Sequence, residues 1–283
     1  AAVLNIFLDL FCIVVLKWGC AGAAIATITA QAISGICCLI VISRKMELMW
    51  LGKDDRHMRK EAAQELLLMG IPTGLQYSIT AIGSMVMQSA NNGLGSVYVS
   101  AFTAAMRIKQ FAMCPFDAVS TAASVFCSQN LGAKQYDRAK KGARFGILCS
   151  VAIAELIGFV IYVAAPTLIA AFNSDPSVVH YGVMQARTIA LFYFLLAFSH
   201  CIAAVLRGSG HASIPMVVML CVWCLFRVSY ITVTVRLIPD IRVIFWAYPL
   251  TWSISSVIFL YLFLKGKWVY GFEKSDRNPK KRG

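Results

Sequence analysis

The sequence predicts an all-α, polytopic membrane protein of about eight transmembrane helices, and three observations carry that prediction. Eight apolar stretches can be marked, near residues 1–16, 21–43, 70–91, 97–129, 142–171, 181–206, 212–235 and 243–265. Most reach the roughly 20 residues that a helix needs to cross about 30 Å of hydrocarbon. Hydrophobic residues make up 59% of the chain and charged residues 14%, with a mean hydropathy of +0.71, against about 45–50% and about 25% in soluble domains. Finally, 19 of the 26 Lys and Arg residues fall in alternate gaps between the stretches. Strands are not expected, because the runs are long and lack period-2 alternation.

The charge bias orients the spans. Segment 44–60 holds six basic residues, 130–144 holds five, the turn at 207–211 holds Arg207, and the tail from Lys265 holds seven. The opposite gaps hold only Lys17, Arg236 and Arg242. Basic loops stay in the cytoplasm, so the C-terminus is expected inside. The net charge of +13 then reads as topology, with some attraction to anionic lipid, and not as a nucleic-acid surface.

Taken in order, the first stretch opens at Ala1 on AAVLNIFLDLFCIVVL, without an initiator Met, a basic leader or a cleavage pattern. At roughly 16 residues it is short for a span, and the expectation is that sequence is missing upstream. Asn5 and Asp9 share a face there. After the second stretch, Asp54 and Asp55 stand in cap position before an amphipathic helix running to Gly70, where the third span begins. Asn130–Gly146 plays a similar part before the fifth span. Outer turns are the breaker clusters Asn92–Gly95 and Asn173–Pro176. No soluble domain fits between the spans.

The fourth span carries the most informative intramembrane pattern. Thr103, Arg107, Gln110, Cys114, Asp117, Thr121, Ser124 and Ser128 follow one another at intervals of four and three, which places them on one face of a helix. Lys109 lies off this stripe. Polar groups in hydrocarbon must face other helices or water, so the stripe is either a helix–helix contact or the wall of a solvated cavity. Arg107 lies roughly 15 Å along the helix, near mid-membrane, and Arg107→Ala is expected to cripple transport through such a cavity while leaving insertion intact. The third span has a weaker counterpart in Gln76, Thr80, Ser84, Met87 and Asn91, with Gly74 and Gly83 allowing close approach. A cavity between these helices would be wet on one side and soft on the other, which suits amphipathic, cationic molecules. The candidate cavity residues are therefore Gln76, Thr80, Met87, Asn91, Thr103, Arg107, Gln110 and Asp117. Glu155, midway along the fifth span, is either a proton site or a partner of Arg107, Arg187 or Arg227.

Nothing points to catalysis or to a metal. Nine of the ten cysteines lie in apolar runs, and Cys221–Cys224 lacks a second ligand pair. His57, His180, His200 and His211 are scattered, and no phosphate loop, HExxH or Ser-His-Asp set is present. No cofactor is expected.

Together these segments resemble the multidrug and toxic compound extrusion (MATE) transporters. The resemblance rests on Asn5–Asp9, on Trp18–Thr27 with Gln31, and on Gly70-Ile71-Pro72-Thr73-Gly74-Leu75-Gln76. It continues through Ala104–Ile108, Ser128-Gln129-Asn130-Leu131-Gly132-Ala133 and Leu206-Arg207-Gly208-Ser209-Gly210. It implies part of a twelve-helix fold of two six-helix lobes, with the spans here standing for helices 5–12 and helices 1–4 needed to complete the cleft. Residues 1–43 would end the first lobe, 44–69 link the lobes, 70–265 form the second lobe, and 266–283 form a basic cytoplasmic tail. The resemblance further implies a plasma-membrane antiporter that exports organic cations and drugs in exchange for H+ or Na+ by alternating access. In one branch of the family, acids on helices 7 and 10 bind the ion. Thr80 stands where the first would be, and residues 181–206 contain no Asp or Glu. A lipid-linked precursor flippase of related architecture and an inactive truncated fragment remain the alternatives.

Overall fold

The computed structural model describes residues 2–45, 60–93, 95–238, 240–265 and 268–269. The linker residues 46–59, which include Asp54 and Asp55, and most of the tail lie outside them. The chain divides into two compact units, residues 1–63 and 64–283.

In the first unit, α1 (Ala2–Leu10) runs on into a π-helical stretch, Phe11–Val15, and a tight turn leads to α2 (Gly19–Lys45). The turn is possible because Lys17 and Gly19 adopt positive φ, while the Trp18 N–H donates to the Cys12 carbonyl at 3.1 Å. Asn5 donates to the Thr27 hydroxyl at 3.3 Å, tying α1 to α2. Asp9, on the same face as Asn5, has a buried Oδ1 without a partner among the described residues.

The second unit is built on three long helices and a bent fourth. From Lys60 the helix expected ahead of Gly70 runs on into the third span as one helix, α3 (Lys60–Asn92), which passes through Pro72 without a break. α4 (Ser96–Gly132) and α5 (Tyr136–Ala170) follow, so the basic segment 136–146 forms the first turns of α5. α6 (Pro176–Ala190) starts at Asp175-Pro176: Asp175 Oδ1 accepts from the Ser177 N–H at 2.8 Å. α6 and α7 (Tyr193–Gly208) together occupy the sixth stretch but are bent 53° from one another. α8 (Ser213–Val218), a π-helical stretch at Met219–Phe226, and α9 (Arg227–Leu237) make the seventh, and α10 (Ile241–Lys265) the eighth. Among the described residues six helices are long and apolar enough to cross a bilayer, or seven with the bent pair as one span.

α4 packs along both α5 and α7, α6 packs on α4 and α5, and α10 lies on α7. Phe116, Tyr193, Trp252 and Phe259 are the large side chains at the centre. Between spans the seams are small and hydroxylated: Ser199 meets Ser255 and Ser256 at 3.3 and 2.8 Å, and Ser150 donates to the Phe116 carbonyl at 3.3 Å. Small residues let helix backbones approach where lipid supplies no hydrophobic drive. Gly83 does so, since a Cβ there would meet the Trp223 carbonyl at 2.9 Å, whereas Gly74 faces open space. On the outside, Phe145, Leu148, Leu156, Phe159 and Val163 of α5 are all more than half exposed, an apolar surface that a bilayer covers.

Candidate functional site: a polar cavity within the spans

Two helix features aim polar groups at one place. Pro115 removes a backbone donor from α4 two residues before Asp117, which breaks the hydrogen-bond ladder beside the carboxylate. At the end of α7, Gly210 takes φ 80° and the His211 N–H donates to the Leu206 carbonyl at 2.9 Å. This closure fixes Arg207 in the last helical turn. Between them lies a cavity of about 200 Å³, walled by α3, α4, α7 and Met219.

Its polar groups are paired. His200 Nδ1 lies 3.0 Å from Asp117 Oδ1, with both side chains partly exposed. Arg207 Nη1 donates to Gln76 Oε1 at 3.1 Å. Thr121 donates to the Asp117 carbonyl at 2.9 Å, and Ser120 caps the Phe116 carbonyl at 2.8 Å. The His200 ring packs against Trp223 with centroids 5.6 Å apart. Tyr77 and Met219 supply the apolar wall. The cavity thus offers one carboxylate, one imidazole and one guanidinium within the span region, together with aromatic and thioether surface. Among the described residues no group of three or more His, Cys, Asp or Glu side chains gathers as a metal site would.

Of the candidate cavity residues, Gln76 and Asp117 line this cavity, as does Thr121 of the same α4 stripe. Thr103, Arg107 and Gln110 stand on an exposed face of α4. The Thr103 hydroxyl turns back to the Val99 carbonyl at 2.8 Å, while Arg107 and Gln110 have no side-chain hydrogen bond or ion pair among the described residues. Thr80 is partly buried and donates to the Gln76 carbonyl at 2.9 Å. Met87 and Asn91 are fully buried, and Asn91 donates to the Tyr98 carbonyl at 3.3 Å; both pack in the core and do not wall the cavity. Glu155 is exposed on α5, apart from the three arginines named as partners. Arg187 donates to the Tyr162 carbonyl at 3.1 Å, and Arg227 donates to Thr251.

From the sequence His200 is only a scattered histidine and Arg207 a charge in a cytoplasmic turn; neither is a candidate for the cavity. They lie seven residues apart with Ala203 and Ala204 between them, which is the same one-face spacing that marks α4. Reading α7 for a polar stripe finds them. A second groove, about 350 Å³ between α5, α7 and α10, is lined mostly by apolar side chains and offers a polar solute little.

Comparison with known proteins agrees with this architecture. Residues 72–232 match the MatE family model, more than half of the chain. The probable multidrug resistance protein YpnP of Bacillus subtilis is 30% identical over 211 residues, covering 74% of this chain and 47% of that protein. The probable multidrug resistance protein NorM of Thermotoga maritima is 24% identical over 283 residues, covering 94% of this chain and 58% of that protein. The chain therefore spans about half the length of the curated relatives it matches. Two solved structures share the fold at 19% identity, each with a TM-score of 0.84 over 96% of this chain and 61% of the other. One is a MATE protein in complex with MaL6, and the other an outward-facing multidrug resistance MATE transporter. The chain is a multi-pass α-helical membrane protein of the multidrug and toxic compound extrusion family.

Proposed function

We propose that the protein exports small amphipathic organic compounds, organic cations among them, by alternating access, and that the Asp117–His200 pair carries the coupling proton. One observation supports this above the others: a carboxylate and an imidazole 3.0 Å apart at the wall of a cavity between membrane-spanning helices. Ionisable groups at such depth are costly and mark ion or substrate pathways. A cation entering the cavity meets the Asp117 carboxylate beside Tyr77 and Met219, surfaces that favour organic cations. A proton on the pair removes the charge that holds the cation. The two ligands therefore exclude one another, and each biases the transporter toward a different state. A proton suits this site better than Na+, because the donor set includes an imidazole and lies beside Arg207. With the basic loops cytoplasmic, the C-terminus is inside. The cavity, near the end of α7, then opens in the inner half of the membrane, where a drug to be exported is captured.

The test is ethidium efflux from cells or proteoliposomes bearing an imposed gradient. Efflux that collapses with the proton gradient and survives loss of the sodium gradient supports the proposal; collapse with sodium alone overturns the proton assignment. Arg107→Ala, the change expected from the sequence to cripple transport, falls on the exposed α4 face outside the cavity, so it is expected to leave efflux near wild type with the same amount of protein in the membrane fraction. Because Glu155 stands apart from the cavity, Glu155→Gln is expected to leave the pH profile of efflux unchanged, and a flattened profile would move the proton site to α5.

A further inference from the structure

Behind the exposed face of α4 lies a cluster that the drug–proton reading does not use. Lys109 Nζ stands 4.6 Å from the centre of the Tyr248 ring, and the Arg227 guanidinium stands 5.0 Å from the same ring and 4.9 Å from Trp223. The two cations are thus no more than about 10 Å apart, where like charges in a medium of low dielectric repel appreciably. Arg227 is 3% exposed, and its Nε has no hydrogen-bond partner; the Trp223 indole N–H is likewise buried and unpartnered. Thr251 accepts one bond from Arg227, and two aromatic faces soften the charge. Among the described residues no carboxylate pairs with it.

The scarcity of acids is marked. α6, α7, α8, α9 and α10 contain no Asp or Glu. α4 contains only Asp117, roughly 12 Å further along the helix and already paired with His200. Glu155 faces outward on α5. Two cations deep in a span without a counter-charge are expensive, and the free donors on Arg227 and Trp223 call for an acceptor. Lys109 is partly exposed, off the stripe that carries Arg107 and Gln110, so the cluster is reached from outside through Lys109. Lys109 lies roughly 20 Å from the start of α4 and Arg227 a similar distance from the start of α8, which puts both near mid-membrane, where transporters hold their solutes.

We infer that Lys109, Arg227 and the Trp223 indole form a binding site for the anionic group of an amphipathic organic anion: a carboxylate, sulfonate or phosphate, free or borne on a lipid. The protein would then accept solutes of a polarity opposite to those met by Asp117. The site is independent of the proton pair, and it stands or falls separately from drug–proton exchange.

The experiment titrates the purified protein, in phosphatidylcholine nanodiscs, with naphthalene-2-sulfonate and with the uncharged naphthalene-2-sulfonamide. The sulfonate is expected to bind saturably and at least about tenfold more tightly than the sulfonamide. Lys109→Gln, a partly exposed position that tolerates a neutral side chain, should erase that preference, and Lys109→Arg should keep most of it. Phosphatidylglycerol in the discs distinguishes the two sources. An apparent affinity weakened about tenfold means that the site also takes a lipid-borne phosphate, while an unchanged affinity means soluble anions only. Equal binding of sulfonate and sulfonamide, or an unaltered preference in Lys109→Gln, would overturn the inference. Ethidium efflux measured on the same preparations keeps the two proposals apart. Efflux without sulfonate binding removes this site alone, and sulfonate binding without efflux removes drug export alone.

Discussion

Asp117→Asn is expected to reduce gradient-driven ethidium efflux by about tenfold or more while leaving the amount of protein in the membrane unchanged. The amide keeps the size of the carboxylate and can still hydrogen-bond to His200, so packing is conserved. What is lost is the negative charge, and with it both attraction for a cation and competition with a proton. The residual efflux should respond less to pH, because only the His200 imidazole of the pair is left to take a proton. His200→Gln is expected to act in the same direction but more weakly, since Asp117 remains to bind the cation. An Asp117→Asn variant with wild-type efflux and a wild-type pH profile would show that the pair is structural.

The second large effect concerns folding. α6 and α7 meet at a 53° bend, and α5 passes this break at Gly158. A Cβ at Gly158 would lie 2.7 Å from the Ala190 carbonyl oxygen and 3.6 Å from the Tyr193 ring. The first contact is with backbone at the end of α6, which cannot swing aside as a flexible side chain does. Gly158→Val is therefore expected to destabilise the unit by roughly 1–3 kcal/mol, the usual cost of overpacking, or about 2–12 °C in Tm for a unit of this size. Thermal unfolding of the purified variant in detergent measures this. Because α7 carries both His200 and Arg207, a variant that still folds should also export poorly. An unchanged Tm would mean that α5 and the bend are not held together as the geometry requires.

Much of this architecture was legible in the sequence, because a bilayer imposes a simple rule on it. Long apolar runs, basic gaps and Pro-Gly-Asn punctuation give the spans, while Asp175, read only as part of a breaker turn, also caps the start of α6 at Pro176. The bend at Leu191-Phe192 was not legible: no Pro or Gly stands there, and the break becomes visible only with Gly158 of another helix beside it. The helix read as running to Gly70 continues into the third span, with Pro72 inside a continuous α3. Half of the candidate site could be read. A polar stripe needs only helical spacing, so Asp117 and Gln76 could be nominated, and so were Met87 and Asn91, whose side of α3 is turned into the core. Pairing across helices is different. His200 and Asp117 are 83 residues apart, and Lys109 and Arg227 meet only through Tyr248 on a third helix. Nothing local encodes either meeting.

The most direct test of the account is proton release on drug binding. Ethidium is added to the purified protein in weakly buffered detergent solution, with a pH-sensitive dye reporting the protons set free. Binding is expected to release protons in wild type and clearly fewer from Asp117→Asn at matched occupancy. Ethidium that binds without releasing protons, or releases them equally from Asp117→Asn, would contradict it.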